Sequence, residues 1–235
     1  MTTSSHKGFV VSDLHIFAER SIANEHLEAI GRAARRGPCL VLNGDIFDFK
    51  WTTLKCIDST IDQAVAWLEI LSQEHPGCQI HYVLGNHDGL KPFAHRVAEL
   101  CQACPNLKLH SAVLRLGNKL FMHGDLALDP GYRQGLEREL MQSVRKKGRL
   151  MTLGYSLLTK SGSHRGISLF QVKKTQAVQI VAYLKHHHLH AGITDVYYGH
   201  THVPFHNYHY DGIAFHNTGS TIRRLKPNFL EFPLD

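Results

Sequence analysis

An α/β fold, with strands and helices alternating around one layered core, is what the sequence predicts, and three observations predict it. Short apolar runs rich in β-forming residues recur along the chain, and each ends in a polar cluster. Between the first three runs, apolar residues recur at three-to-four spacing, the period of an amphipathic helix. At 235 residues the chain can bury one sizeable core, so a single domain over 1–235 is expected.

The first run, Phe9 to Val11, leads into SDLH, and the stretch Ile22 to Arg35 that follows has helical spacing. A second run, Cys39 to Leu42, precedes NGDIFD, with a second helical stretch over Ile61 to Ser72. Ile80 to Leu84 precedes GNHD, Leu120 to Met122 precedes HGD, and Val196 to Tyr198 precedes GHTH. The β-rich segments Pro204 to Tyr210 and Ile213 to Asn217 complete the pattern. Alternating strands and helices stack as layers, and in such folds ligands collect at the carboxyl ends of the strands. All five polar clusters stand at such ends, so their loops are expected to meet at one site.

Past Met122 the periodicity turns helical, and an inserted helical cap is expected over about residues 130–190. From Pro130 to His190 there are eleven Lys or Arg against two acids, while the rest of the chain holds 15 basic and 18 acidic residues. The net charge of +6 is therefore concentrated in the cap, which points to an anionic partner there. Leu136, Leu140, Val144, Leu150, Leu157 and Phe170 supply apolar surface to the same segment, either as an acyl-binding groove or as packing onto the body.

Composition excludes other classes. Hydrophobic residues at 43% and charged residues at 20% fit a globular protein, and no apolar run reaches the length of a membrane span. Met1 to Lys7 has no tripartite leader, and the five scattered cysteines do not suggest a disulfide framework, so a cytoplasmic location is expected. Cys101 and Cys104 form a lone CxxC in a helix-like stretch, without the second pair that a structural zinc site needs. His186 to His188 and His190 gather at a helix end and are expected to be bystanders.

The chemistry lies in the strand-end clusters. Strand alternation would put Asp13 and His15 on one face with Leu14 turned to the core, and the same spacing would pair His200 with His202. Asp45, with two carboxylate oxygens, can bridge two cations, while Asn86 and His123 arrive at two further strand ends. Mixed imidazole and carboxylate ligands suit Mn²⁺, Fe²⁺ or Zn²⁺, with Mn²⁺ placed first.

The ordered series SDLH, GDIFD, GNHD, HGD and GHTH, spanning Ser12 to His202, resembles the signature of the calcineurin-like metallophosphoesterases. The resemblance implies a four-layer β-sandwich flanked by helices, with two divalent metal ions at the sandwich edge. Asp13, His15, Asp45 and His202 would hold one, and Asp45, Asn86, His123 and His200 the other. MHGD followed by a basic helical stretch and then GHTHVP resembles the branch of UDP-2,3-diacylglucosamine diphosphatases, which cleave a lipid-linked pyrophosphate in lipid A synthesis. That branch has GNRD where this chain has GNHD. His87 can donate a proton, whereas an arginine supplies only fixed charge.

The implied reaction is hydrolysis of a phosphate ester or pyrophosphate by metal-activated water, with His87 assisting the leaving group. Asp48 would fix the His87 tautomer, or else cap a helix. Asn217 to Ser220 would either make a turn, the favoured reading, or supply backbone donors near the metals. Two rivals stand beside it. A nuclease or nucleotide phosphodiesterase is disfavoured by the scarcity of cap aromatics, so nucleic acid is not the expected partner. A non-catalytic scaffold would be expected to lack ligands, and all seven positions are filled. The expected partner is a phosphate-containing small molecule or lipid, with peripheral contact at the inner membrane surface through the cationic cap.

Overall fold

The computed structural model describes residues 7–131 and 169–234. Strands β1 (Lys7–Val11), β2 (Cys39–Asn43), β3 (Gln79–Val83) and β4 (Leu107–His110) form a parallel sheet in that order, and β10 (Leu230–Pro233) joins antiparallel to β1. A second sheet contains β5 (Val113–Leu116), β6 (Lys119–Met122), β7 (Asp195–Tyr198), β8 (Phe205–Tyr210) and β9 (Ile213–Asn217), in the order β5-β6-β7-β9-β8. Its central strands β6, β7 and β9 are parallel, and its two edges are antiparallel.

The run CLVLN of β2 is buried at every position because both faces of its sheet are covered. Leu40 and Leu42 point toward the helices α1 (Leu27–Arg36), α2 (Ile57–Glu74) and α3 (Lys91–Ala103), where Ile30, Leu68 and Phe93 meet them in one core. Cys39 and Val41 point the other way and join Val10, Val83, Phe121, Tyr197 and Phe232 between the sheets. In the second sheet, Phe121 and Tyr197 stack at 4.9 Å on that inner face. Leu120, Met122, Val196 and Tyr198 turn outward, to Ala177, Ile180, Val181 and Leu184 of α5 (Leu169–His186). The layers are thus helix, sheet, sheet and helix, and each fully buried aliphatic or aromatic side chain stabilises them by about 1.5–3 kcal/mol. A short α4 (Asp125–Leu128) follows the HGD cluster.

Several elements differ from the sequence expectation. The helix expected over Ile22 to Arg35 is split into a 3₁₀ turn at Ala23–Glu25 and α1. The split begins where Ile22 N–H donates to the Thr221 carbonyl (2.9 Å) and Ala23 N–H donates to Ser21 Oγ (2.9 Å), tying this turn to the C-terminal loop. Strands β4, β5 and β10 had no sequence counterpart, because each is only four residues long with one face at least partly exposed. Of the cap expected over about 130–190, residues 132–168 lie outside the described residues, with Leu136, Leu140, Val144, Leu150 and Leu157 among them, as does the side chain of Phe170. The end of that segment, α5, is the outer layer of the second sheet. No helix among the described residues is long and apolar enough to cross a membrane.

Candidate metal centre

Because β1, β2 and β3 are parallel, the loops that follow them leave one edge of the first sheet, and the loops after β6 and β7 leave the second sheet beside them. The register of β1 on β2 continues as a ladder between loops. Asp13 N–H donates to Gly44 O (3.0 Å), His15 N–H to Asp45 O (2.9 Å), Ile16 N–H to Ile46 O (2.9 Å) and Asp48 N–H to Ile16 O (2.9 Å). Ile46, Phe47 and Phe49 are buried in the helix-side core, and Phe47 packs against Phe17, Trp67, Tyr82 and Phe93. Anchored by those side chains, the loop presents Asp45 and Asp48 to the site.

The expected strand alternation is not how Asp13 and His15 come together. β1 ends at Val11, and both residues adopt left-handed backbone, with φ of 53° and 48°. Asp45, His200 and His202 do the same, at 52°, 64° and 57°, so GHTH is likewise a loop and not a pleat. Asp and His tolerate this region better than most residues, yet each such conformation costs on the order of 1–3 kcal/mol. Its concentration at these positions marks a geometry imposed by the surroundings. Leu14 between the two is fully buried, as expected.

The structure brings all seven expected ligands to one place. His15 Nε2 lies 3.2 Å from His202 Nε2, 3.9 Å from Asp13 Oδ1 and 4.0 Å from Asp45 Oδ2, while His202 Nε2 lies 3.2 Å from Asp13 Oδ1. On the other side of Asp45, its Oδ2 is 3.2 Å from His123 Nε2. Asn86 Oδ1 sits 3.0 Å from His123 Nε2 and 2.8 Å from His200 Nδ1. Asp45 therefore faces both groups. Ligand atoms of Asp13, His15 and His202 fall within 4.8 Å of one another, as do those of Asp13, Asp45 and His123, and those of His15, Asp45 and His87. Converging nitrogen and oxygen lone pairs around buried carboxylates suit divalent cations, whose charge offsets the repulsion between Asp13 and Asp45.

Neighbouring side chains set the tautomers. Asp48, 2% exposed, caps no helix: its Oδ2 is 3.2 Å from His15 Nδ1, its Oδ1 is 3.1 Å from His87 Nδ1, and Oδ1 also accepts from Trp51 N–H (2.8 Å). A proton on His15 Nδ1 leaves Nε2 as the lone-pair donor facing the cluster. His123 does the same, with Nδ1 3.3 Å from the Asn43 carbonyl. His87 N–H donates to Asp45 Oδ1 (2.8 Å), placing its ring at the rim, with its centroid 4.9 Å from that of His15.

Sequence reasoning missed two supports and left a third open. Asp88 accepts from Ile46 N–H (2.8 Å), Gly85 N–H (2.6 Å) and Tyr82 OH (2.6 Å), binding the Asp45 loop to the Asn86 loop. Asn43 donates to the carbonyls of Met122 (2.9 Å) and Tyr197 (3.1 Å), joining the sheets behind the site. The NTGS run does more than turn. Asn217 donates to Gly199 O (2.9 Å), Ser220 Oγ donates to Asp13 O (3.0 Å), and the adjoining Thr221 Oγ1 donates to Leu14 O (2.6 Å). Position two residues after a ligand in GNHD was the available clue for Asp88. Asn43 and Asn217 each end a buried strand, where a polar side chain needs partners. Gly85 and Gly199 allow the loops to close: a Cβ on either would collide with the carboxylate of Asp45 or of Asp13, respectively.

The electrostatics follow from this packing. Burial alone would raise Asp45, but His123, His87 and His15 overcome it and hold the carboxyl well below its usual range. Asp13 is lowered in the same way, with burial outweighed by His123 and His202. Burial opposes protonation of His123 and His87, yet Asp45 and Asp13 push the first to about 10, and Asp48 and Asp45 push the second to about 9. His200, partly buried beside His123, is lowered by desolvation and by that neighbour. Burial and the charge of Asp45 push Asp88 up to about 6.

Compared with known proteins, residues 8–204 match the profile of the calcineurin-like phosphoesterases. A search of curated proteins found no match. Among solved structures, a dimetal phosphatase from Danio rerio is similar at 13% identity and a TM-score of 0.51, covering 98% of this chain and 93% of that one. Vacuolar protein sorting 29 from Cryptosporidium parvum aligns at 12% identity and a TM-score of 0.46, over 97% and 86% of the two chains. A conserved protein from Streptococcus pneumoniae, described as a predicted phosphoesterase, aligns at 15% and 0.38, over 96% and 83%. At 13% identity the likeness to the dimetal phosphatase is one of fold. The profile match and the grouped ligand atoms together imply a divalent-metal site.

Proposed function

The chain belongs to the calcineurin-like phosphoesterase family, and on that premise we propose that it is a dinuclear-metal hydrolase of phosphate esters or pyrophosphates. The observation that carries the proposal is the position of Asp45. Its Oδ2 lies 4.0 Å from His15 Nε2, which groups with Asp13 and His202, and 3.2 Å from His123 Nε2, which neighbours Asn86. Asp13, His15, Asp45 and His202 would hold one ion, and Asp45, Asn86, His123 and His200 the other, with Mn²⁺ the first choice for this mixed nitrogen and oxygen set. When bound, such ions lower the pKa of water and neutralise phosphoryl oxygens.

The chain's own residues do the rest. The Asp48 carboxylate holds His15 and His87 on separate oxygens, so one residue orients both a metal ligand and the proton donor at the rim. His87, held protonated by Asp48 and Asp45, donates to a phosphoryl or leaving-group oxygen as charge develops there, a role that an arginine at this position could fill only as fixed charge. Seven filled ligand positions favour catalysis over a scaffold.

For substrate, the reading extends to the pyrophosphate of a UDP-linked diacyl sugar. It is supported by the resemblance of MHGD and GHTHVP to that branch and by the excess of cations over residues 130–190. On this reading the cationic segment also attends the membrane surface that carries such a lipid. The test is a hydrolysis screen of the Mn²⁺-loaded protein with UDP-2,3-diacylglucosamine, bis(p-nitrophenyl) phosphate, free nucleotides and DNA. Turnover of the lipid nucleotide above the others is expected. Preference for DNA, with affinity falling steeply as salt rises, would favour a nuclease. No turnover by fully metal-loaded protein would favour a scaffold.

A further inference from the structure

Beside the metal centre, the turn at residues 221–227 carries Arg223, Arg224 and Lys226 in four consecutive positions, all exposed. Outside residues 130–190 acids outnumber bases, so the cluster does not follow from a generally basic surface. No carboxylate among the described residues pairs with any of the three.

The turn is fastened to the site at both ends. On one side Thr221 N–H donates to the Asp13 carbonyl (3.1 Å). On the other, Gly219 bridges to Pro227, and Asn228 N–H donates to the Thr218 carbonyl (2.6 Å). Gly219 also lies against Pro204, where an added Cβ would come within 2.9 Å of the proline Cβ. Pro204 is two residues beyond His202, whose side chain at 24% exposure opens that edge of the site to solvent. Facing the turn is the loop that follows SDLH, paired through Ser21 and Ile222 and through Arg223 N–H to the Arg20 carbonyl (2.9 Å). Arg20 adds a further cation there, and Glu19 and Glu25 are the exposed acids on that segment.

We propose that this turn is an anion subsite, in which Arg223, Arg224 and Lys226 bind the second phosphate of the substrate, the one not attacked at the metal centre. The proposal rests on the phosphoesterase reading and narrows it to substrates with more than one anionic group. Arginine and lysine at an exposed lip recognise phosphate by charge and by forked donors without being buried. A lipid headgroup would offer the same chemistry as a soluble phosphate, so the experiment separates the two.

Titration calorimetry of the full Mn²⁺-loaded chain would compare fructose 6-phosphate with fructose 1,6-bisphosphate, for the wild type and for the triple variant Arg223→Ser, Arg224→Asn, Lys226→Ser. Asparagine at 224 suits the left-handed φ of 73° there. The bisphosphate is expected to bind the wild type roughly tenfold more tightly than the monophosphate. The triple variant should lose that preference and keep its monophosphate affinity, while Arg223→Lys with Arg224→Lys should restore it. A preference that survives in the triple variant, or is missing from the wild type, would overturn the proposal. So would a variant that keeps the preference but no longer sediments with phosphatidylglycerol vesicles, since the turn would then serve lipid headgroups. Turnover of bis(p-nitrophenyl) phosphate, followed in parallel, should be equal in both proteins. Its complete absence from the wild type would count against the phosphoesterase reading and leave the titration to decide the subsite.

Discussion

Two groups of buried and half-buried histidines in this molecule are driven in opposite directions. At the loop edge, His123 and His87 stand among Asp13, Asp45 and Asp48, and despite their burial they are raised to about 10 and about 9. Across the first sheet, His81 of β3 lies 3.0 Å from His110 of β4, with Lys108 nearby. Burial, His110 and Lys108 push His81 down to about 4. The residue type is the same, but one set is surrounded by carboxylates and the other by cations and neutral rings. In a chain with 19 histidines, the nearby carboxylates, more than the histidine count, separate a binding centre from a structural pair.

The strongest way to break this contrast is to remove the carboxylate common to both ligand groups. Asp45→Ala is expected to lose bound metal and to lower kcat/KM by at least about 10³-fold. Metal analysis together with the hydrolysis rate checks it, and unchanged turnover would end the account. His87→Ala should keep its metal and lower kcat by about 10²–10⁴-fold, with little change in metal affinity.

The carboxylate-free pair is probed by pH. With its folded pKa depressed from 6.5 to about 4, His81 leaves the unfolded chain binding more protons across that interval. Its contribution is therefore fully present above pH 6.5 and is lost as the pH falls toward 4, amounting to as much as about 3 kcal/mol. Urea unfolding of wild type and His81→Leu at pH 7 and pH 5 measures it. The variant should lose less stability than the wild type on acidification. Smallest is Asp48→Asn, which keeps the shape but weakens the orienting contacts to His15 and His87. A loss of about 10–100-fold in metal affinity or activity is expected, read from a metal titration beside the rate.

Much of the architecture was legible because its cause is local. Runs such as CLVLN, buried on both faces, announce central parallel strands, and the polar clusters after them announce where loops converge. Leu107–His110 and Leu230–Pro233 were not legible, because a short edge strand with one covered face leaves little apolar pattern. At the site, the identities of the seven grouped residues were written in the motifs, but their geometry was not. The pleat that would have paired Asp13 with His15 is replaced by left-handed backbone, which loop-to-loop hydrogen bonds impose and no periodicity reveals. Asp88 and Asn43 escaped notice for a related reason: the Ile46 N–H that donates to Asp88 and the Met122 carbonyl that accepts from Asn43 are backbone groups remote in sequence, and only the packed structure shows that they need these side chains.

The account turns on Asp45 joining two ions in one centre, and electron paramagnetic resonance of the Mn²⁺-loaded chain, with the metal content determined on the same sample, tests that most directly. Two Mn²⁺ per chain with an exchange-coupled spectrum is the predicted result. A single magnetically isolated Mn²⁺ per chain, or none retained after dialysis, would contradict it.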